Sequence, residues 1–434
     1  MIKSHYTKED IYFMKKISHP FKSLLAAAVL LSLCLSGCGN ASSENAKSEN
    51  SFTPKLDTEK ETTLEIAGFM ANFEALDQVV MNFNEIYPNV TISYEQNSSY
   101  MLSDYLDNNQ VVDIIMTSTD NLEPTAAPEN YVGDKVLDLS KEDIDFDEIQ
   151  PSLLSCCKVE GALLRVPFLQ NVCGMAVNKT LLEKEGLSVP TNYEEFLTVL
   201  EALKQKGYTP IQGSELHVYS ELVSNMAMYN MSANEDLLPV LERLQTIIDN
   251  GYTDYDLNAS YPNDNYDQAI LSFFEGNVPF WVCNTESFSG AKKRESKSET
   301  FSKEPFDYAF IYAPIGDSGA YECVEPWYGF SIPENADNKD YAVEFIRFLS
   351  TTDQLNTMAA IKGMPSAAKE AVNERYPDLH KEGTIQASFE NDGSVSPLLQ
   401  EAFNTVCADF GAGKYTSAEE ALQAFNDAKA AINQ

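Results

Sequence analysis

The side chains able to do chemistry in this chain are few, and their spacing excludes more than it allows. Cys38 stands directly after Leu35-Ser36-Gly37. A cysteine so placed offers its thiol to a diacylglyceryl thioether and, after cleavage before it, its amine to an acyl group. Each buried methylene of such chains contributes about 0.8 kcal/mol, so two or three of them hold a protein at a bilayer. Cys156, Cys157, Cys173, Cys283, Cys323 and Cys407 show no C-x-x-C spacing for metal or redox work. They are expected to pack as small apolar residues, with one disulfide as the alternative. His5, His19, His217 and His380 stand apart from one another, which argues against a histidine metal site. There is no G-x-x-x-x-G-K-S/T loop for a nucleotide phosphate, and no cofactor is expected. Asp120 and Glu286 could be nominated as the acid and base of an exported glycoside hydrolase, but no local motif supports that pairing.

The elements around these residues set their compartment and position. Lys15, Lys16 and Lys22 precede an apolar run from Leu24 to Leu35, the parts of an export signal and too short for the roughly 20 residues that span a bilayer. Residues 1–37 therefore read as a lipoprotein signal, with Met14 a more ordinary start than Met1, and residues 38–61 as a flexible polar tether. The 434 residues carry a net charge of −36. Such acidity repels phosphate backbones and excludes nucleic acid as a partner. A body of this length exceeds what one core organises, so two lobes are expected.

Residues 63–67, 90–94 and 111–116 read as strands separated by helices. Leu76, Val79, Phe83 and Ile86 recur at helical spacing until Pro88, and this alternation argues a parallel sheet covered by helices. Further along, Thr191-Asn-Tyr-Glu194 reads as a capping box opening a helix to about residue 206. Residues 237–250 and 263–274 read as helices and 278–283 as a strand. Residues 289–303 are polar enough for an exposed connection. Residues 307–311 and 328–332 are strand-like, and after Pro333 the pattern is helical to the end.

Four separated stretches resemble the extracellular solute-binding proteins of carbohydrate ABC importers, the family that includes maltose-binding protein. They are residues 64–115 with Phe83-Asn-Glu-Ile-Tyr-Pro-Asn89; Leu163-Leu-Arg-Val-Pro167 followed by Gly174-Met-Ala-Val-Asn-Lys179 and Leu187-Ser-Val-Pro-Thr-Asn-Tyr-Glu-Glu-Phe196; Phe273-Phe-Glu-Gly-Asn-Val-Pro-Phe280; and Tyr328-Gly-Phe-Ser-Ile-Pro333 with residues 340–349. Gly363-Met-Pro365 fits as well. Where many members carry a glycine and a tryptophan after the third stretch, this chain has Cys283-Asn-Thr-Glu286.

The resemblance implies an α/β, two-lobed periplasmic-binding-protein-like fold with crossing hinge strands and a central ligand cleft at the strand ends. Residues 62–168 plus 285–326 are expected as lobe 1 and residues 169–284 plus 327–434 as lobe 2, with crossings near Phe168, Asn284 and Trp327. A sugar needs aromatic plates for its C–H faces and carboxylates or amides for its hydroxyls. The expected ligand residues are Phe69, Asn72 and Phe73 after the first strand, Ser118, Thr119 and Asp120 after the third, and Phe168, Gln170, Asn284, Glu286, Trp327 and Tyr328 at the crossings. Caps are the plain alternative for Asn72 and Asp120, and core packing for Trp327; Trp281 is expected to be buried. The implied role is a monomeric, lipid-anchored receptor outside the cytoplasm, on the outer face of a one-membrane cell or as a periplasmic lipoprotein, delivering a carbohydrate to ABC permease subunits. A peptide or polyamine ligand is the alternative on the same fold, and an anchored sensory or adhesion partner a more distant one.

Overall fold

The computed structural model describes residues 52–68, 74–96, 102–107, 112–122, 130–213, 217–260, 266–373, 375–377, 379, 383–390 and 393–432. Cys38, Phe69, Asn72 and Phe73 lie outside the described residues.

Strand β1 (Thr62–Gly68) leads into helix α1 (Glu74–Ile86), which buries Leu76, Val79 and Phe83 along one face and carries Glu74 and Asp77 in its first turn, the end that favours negative charge. Strands β2 (Val90–Gln96) and β3 (Ile114–Thr117) both pair with β1 in parallel, as the alternating pattern requires. After β4 (Val166–Pro167) the chain crosses to a second sheet. There it lays down β5 (Cys173–Asn178), α2 (Tyr193–Gln205), β6 (Ile211–Gly213), α3 (His217–Ser232), α4 (Leu238–Asp249), β7 (Phe280–Asn284), α5 (Thr285–Glu295), β8 (Tyr308–Ile311) and β9 (Ala320–Val324). It returns for β10 (Gly329–Ser331), α6 (Lys339–Leu349) and α7 (Thr352–Lys362), then crosses again to β11 (Ile385–Glu390), α8 (Pro397–Gly411) and α9 (Ala418–Ile432).

The first sheet runs β2-β1-β3-β10-β4 and the second β8-β5-β7-β6, with β9 and β11 a separate parallel pair. Each sheet has its own core. Phe83, Phe168, Phe330, Phe345 and Leu355 pack around the first. Met175, Phe196, Leu222, Val282 and Phe403 pack on one side of the second, with Phe273, Trp281 and Phe310 on the other.

Among the described residues three segments join the lobes. Residues 168–171 lie in the middle, with Gln170 N donating to Pro365 O at 2.9 Å and Ala367 N to Phe168 O at 3.3 Å on one flank. On the other flank Trp327 N donates to Leu169 O at 2.9 Å and Asn171 N to Glu325 O at 3.0 Å. The hinge is therefore a hydrogen-bonded band. Its third segment follows Gly363, which closes α7 in the left-handed region at φ 74°, where a side chain would be strained.

This layout differs from the expected boundaries. Residues 308–311 pair with β5, so the stretch 285–326 builds the second lobe, and β10 inserts antiparallel between β3 and β4, so the chain after Trp327 first completes lobe 1. The cause is that a strand's partners are set by register and burial, which a local pattern does not carry. Asn284 marks no crossing; it caps α5, accepting from Ser287 N at 2.9 Å. Residues 289–303, expected as a connection, continue α5 and add a short helix, Glu299–Lys303. Residues 385–390, expected as helix, form β11. Residues 52–61, expected as tether, pack on α6: Phe52 meets Phe348 edge-on at 5.1 Å, and Lys55 N donates to Glu344 at 2.9 Å.

Candidate functional site

The strands β1, β3 and β4 of the first sheet and β6, β7 and β8 of the second end toward the hinge band, so their C-terminal ends face the junction between the lobes. One end of that junction is built around Arg165. Its side chain, only 1 % exposed, donates to Thr119 Oγ1 at 2.7 Å and to Thr117 O at 3.4 Å, which pins the turn after β3. Ser118 serves the same turn, with its N–H and hydroxyl both donating to Asn121 Oδ1 at 3.0 Å. Asp120 projects beyond it, exposed, and its carboxyl makes no hydrogen bond or ion pair with a described residue. Desolvation raises the Asp120 carboxyl above its ordinary value, with Arg165 opposing.

Two further carboxylates belong to this end. Glu325, in the second crossing, is pushed up to about 7 by desolvation, against Arg165 and with Asp120 adding to the rise. Glu221 on α3 is also pushed up to about 7 by desolvation. One turn along α3, Asn225 donates to Cys173 O and Tyr321 O, both at 3.0 Å, which fixes this stretch of the helix against the starts of β5 and β9. Burial, then Glu221 and Glu325, push the Cys173 thiol up, so both carboxylates surround the same spot. Like the other five described cysteines, Cys173 is unpaired.

Trp327 organises the other end. It is buried, 5 % exposed, and packs into the first lobe's core edge-on to Phe168 at 6.1 Å, as its core-packing alternative expected; its Nε1 donates to Glu286 Oε2 at 2.9 Å, Tyr328 meets it edge-on at 4.8 Å, and Lys362 Nζ lies 4.6 Å from its centroid. Glu286 is held there because Asn284 starts α5 and places it in the first turn. Beside this group opens a cavity of about 410 Å³, walled by Glu74 and Ala75 of α1, Glu286, Ser289 and Lys293 of α5, and Lys362 of α7. Lys293 reaches across the lobes to Glu74 at 3.7 Å.

The structure thus brings Glu286, Trp327 and Tyr328 together, and sets Ser118 and Asp120 on the turn after β3. Phe168 and Gln170 lie deeper. Phe168 is 0 % exposed, packed at 4.9 Å against Phe330, and Gln170, 1 % exposed, donates to Ser366 O at 2.7 Å, so both build the hinge and neither side chain reaches solvent. Trp281 is buried in the second lobe. Sequence reasoning missed Arg165, Glu221 and Lys362 altogether. Only Lys362 had a nearby signal, the Gly363-Met-Pro365 motif that begins the third crossing. Among the described residues no group of three or more His, Cys, Asp or Glu could hold a metal ion, and no helix is long and apolar enough to cross a membrane.

Comparison with known proteins bears on this geometry. Residues 78–387 match the family model for bacterial extracellular solute-binding protein. A multiple sugar-binding protein of Streptococcus mutans is 22 % identical over 236 residues, 49 % of this chain and 53 % of that protein, so the chain spans about half the length of that relative. The solute-binding protein RafE in complex with raffinose superposes with a TM-score of 0.66 at 15 % identity, covering 86 % of this chain and 100 % of that one. A sugar transporter of Bacillus licheniformis in complex with stachyose does so with a TM-score of 0.57 at 15 % identity, covering 84 % and 98 %. At these identities the structural likeness speaks for the fold. The family match, which spans most of the described residues including all three hinge crossings, speaks for descent: the chain belongs to the bacterial extracellular solute-binding proteins, which hold a solute rather than transform it.

Proposed function

We propose that this chain is a receptor anchored through Cys38, which grips a sugar or oligosaccharide between its lobes and hands it to an ABC permease. The observation that carries the reading is the hydrogen bond from Trp327, at a hinge crossing and packed on the first lobe's core, to Glu286 of the second lobe, which brings an aromatic ring and a carboxylate together where the lobes meet. Tyr328, Ser118, Asp120 and Asn284 complete the set on the described residues, with Phe69, Asn72 and Phe73, which follow β1 in sequence. The relatives that hold raffinose and stachyose support a carbohydrate ligand. Ligand contact with both lobes favours the closed form, which is the form a permease receives. The receptor acts as a monomer, outside the cytoplasm.

The test is calorimetric titration of the whole chain in detergent with mono- and oligosaccharides. Micromolar affinity, about −8 kcal/mol, is expected for at least one oligosaccharide. Trp327→Ala is expected to abolish that binding, and unchanged affinity would place the site elsewhere. Binding of spermidine or an oligopeptide with no saccharide response would move the ligand to the class that unpartnered Asp120, Glu221 and Glu325 favour. Radiolabelled palmitate entering the wild-type chain but not Cys38→Ala tests the anchor.

A further inference from the structure

One buried hydroxyl links the two lobes at the third crossing. The Tyr376 ring is 4 % exposed and belongs to the second lobe's core, tilted on Phe288 at 5.5 Å and edge-on to Phe310 at 5.7 Å. Arg375 beside it donates to Ser289 O of α5 at 3.5 Å, so this stretch rides with that lobe. The Tyr376 hydroxyl faces two backbone carbonyls, Gly363 O at 2.8 Å and Thr285 O at 3.3 Å. The two acceptors belong to different lobes. Gly363 closes α7, which packs in the first lobe's core, and a carbonyl at a helix C-terminus has no partner within its own helix. Thr285 opens α5, where the helix ladder itself serves the carbonyl. The Thr285 side chain is tied in turn to the first crossing: its hydroxyl accepts from Val172 N at 3.1 Å and donates to Gln170 O at 3.2 Å.

A phenol has one proton to give, so Tyr376 serves one of these carbonyls at a time. Only the bond to Gly363 O spans the lobes. Rotation of one lobe on the other stretches that bond and leaves the distance to Thr285 O as it is, so the hydroxyl passes to the second acceptor and is never a buried donor without a partner, a state that carries the full desolvation cost. Resting on the hinge closure proposed above, we propose that Tyr376 is a positioning residue for solute capture: its hydroxyl pins the third crossing at the interlobe angle seen here and releases it by transfer to Thr285 O when the lobes rotate. The hydroxyl acts through the hinge and not on the solute. It sets the balance of interlobe angles, and affinity follows, because a receptor binds in proportion to its binding-competent fraction.

The experiment is single-molecule fluorescence transfer on the full chain in detergent, with dyes at exposed Asp145 of the first lobe and exposed Asn426 of the second, for the wild type, Tyr376→Phe and Tyr252→Phe. Tyr252 is the control: it is equally buried, and its hydroxyl donates to Glu201 of the same lobe at 3.1 Å, so its bond does not span the hinge. Tyr376→Phe keeps the ring in the core and should change the ratio of the two interlobe populations by roughly threefold to tenfold, the worth of one hydrogen bond, while Tyr252→Phe leaves that ratio unchanged. Calorimetric titration with an oligosaccharide that binds the wild type should show affinity moving with the closed fraction. A ratio that Tyr376→Phe does not move, or that Tyr252→Phe moves as far, overturns the inference and leaves closure standing. The ratio is read without solute, so it is independent of which solute binds. One interlobe distance in every chain, with and without a saturating solute, removes closure itself and the pin with it.

Discussion

Glu344 and Glu325 are carboxylates drawn out of water on opposite sides of one fold, and the chain treats them differently. Glu344, on α6 in the first lobe, is 3 % exposed and fully partnered. Arg347 donates to it through Nε at 2.9 Å and Nη2 at 2.8 Å, Lys55 N donates at 2.9 Å, and the Tyr87 hydroxyl adds a fourth bond. Burial alone would raise its pKa, but the bonds from Arg347, Tyr87 and Lys55 outweigh it and the carboxyl ends below its ordinary value. Glu325, with Glu221, has no such donors, and both are raised to about 7. The difference sets apart a buried charge whose donors tie it into the scaffold from two that the scaffold leaves without donors.

The largest test of this contrast is Glu344→Gln. It leaves Arg347, whose side chain is 13 % exposed, without its counter-charge, and breaking a buried pair from one side costs about 3–5 kcal/mol. Urea unfolding should show a loss of that size. A loss below about 1 kcal/mol would mean that the Glu344 knot contributes little to the lobe, and the contrast would collapse. The knot also ties down residues 52–57, since Arg347 stacks at 4.0 Å over Phe52 and Tyr341 donates to Asp57 O at 2.8 Å.

The next largest effect concerns pH, where the two sites predict opposite signs. Glu344 has a lowered pKa in the folded state, so its contribution is present above the ordinary value of 4.5 and is lost as the pH falls through that lowered value. Glu221 and Glu325 have raised values, so their stabilising contribution is full below 4.5 and disappears as the pH rises through about 7. Glu221→Gln and Glu325→Gln should therefore stabilise the chain at pH 8, by roughly 2–3 kcal/mol apiece, and leave it little changed at pH 4.5. Thermal unfolding across that range reads the slope directly. Variants that lose stability at pH 8 would show these carboxylates to be structural after all.

How much of this was legible follows from what a one-dimensional pattern can carry. Helix α9 falls in the stretch after Pro333 that reads as helical, and the order β1-α1-β2 was clear because each element buries one face. Helix α3 was invisible for the opposite reason. Val218, Leu222, Val223, Met226, Ala227 and Met228 bury nearly its whole circumference, so it has no polar face to set a period. The capping box read at Thr191 lies one residue later, where Asn192 Oδ1 accepts from Glu195 N at 3.0 Å and Glu195 accepts from Thr191. Trp327 was findable because only two tryptophans exist and one lies inside a strand. Glu221 and Lys362 were not, because each is a polar residue on a helix, and only tertiary packing tells that its face meets the cleft.

The smallest effect on stability sharpens the contrast most. Asp120 stands on the turn that Arg165 and Asn121 hold, yet its own carboxyl bonds to no described residue, and Arg165 acts on it only through its charge. Asp120→Asn should change unfolding stability by no more than about 0.5 kcal/mol, as for a side chain outside the core. The turn would keep its bonds from Arg165 to Thr119 and from Ser118 to Asn121. If Asp120 accepts a ligand hydroxyl, the same substitution weakens oligosaccharide affinity, by about tenfold for one charge-assisted hydrogen bond. A stability-neutral, binding-defective Asp120→Asn would put this residue on the functional side of the comparison. A variant that keeps full affinity for every ligand that binds the wild type would leave Asp120 a solvated surface carboxylate and move the acidic end of the site to Glu221 and Glu325 alone.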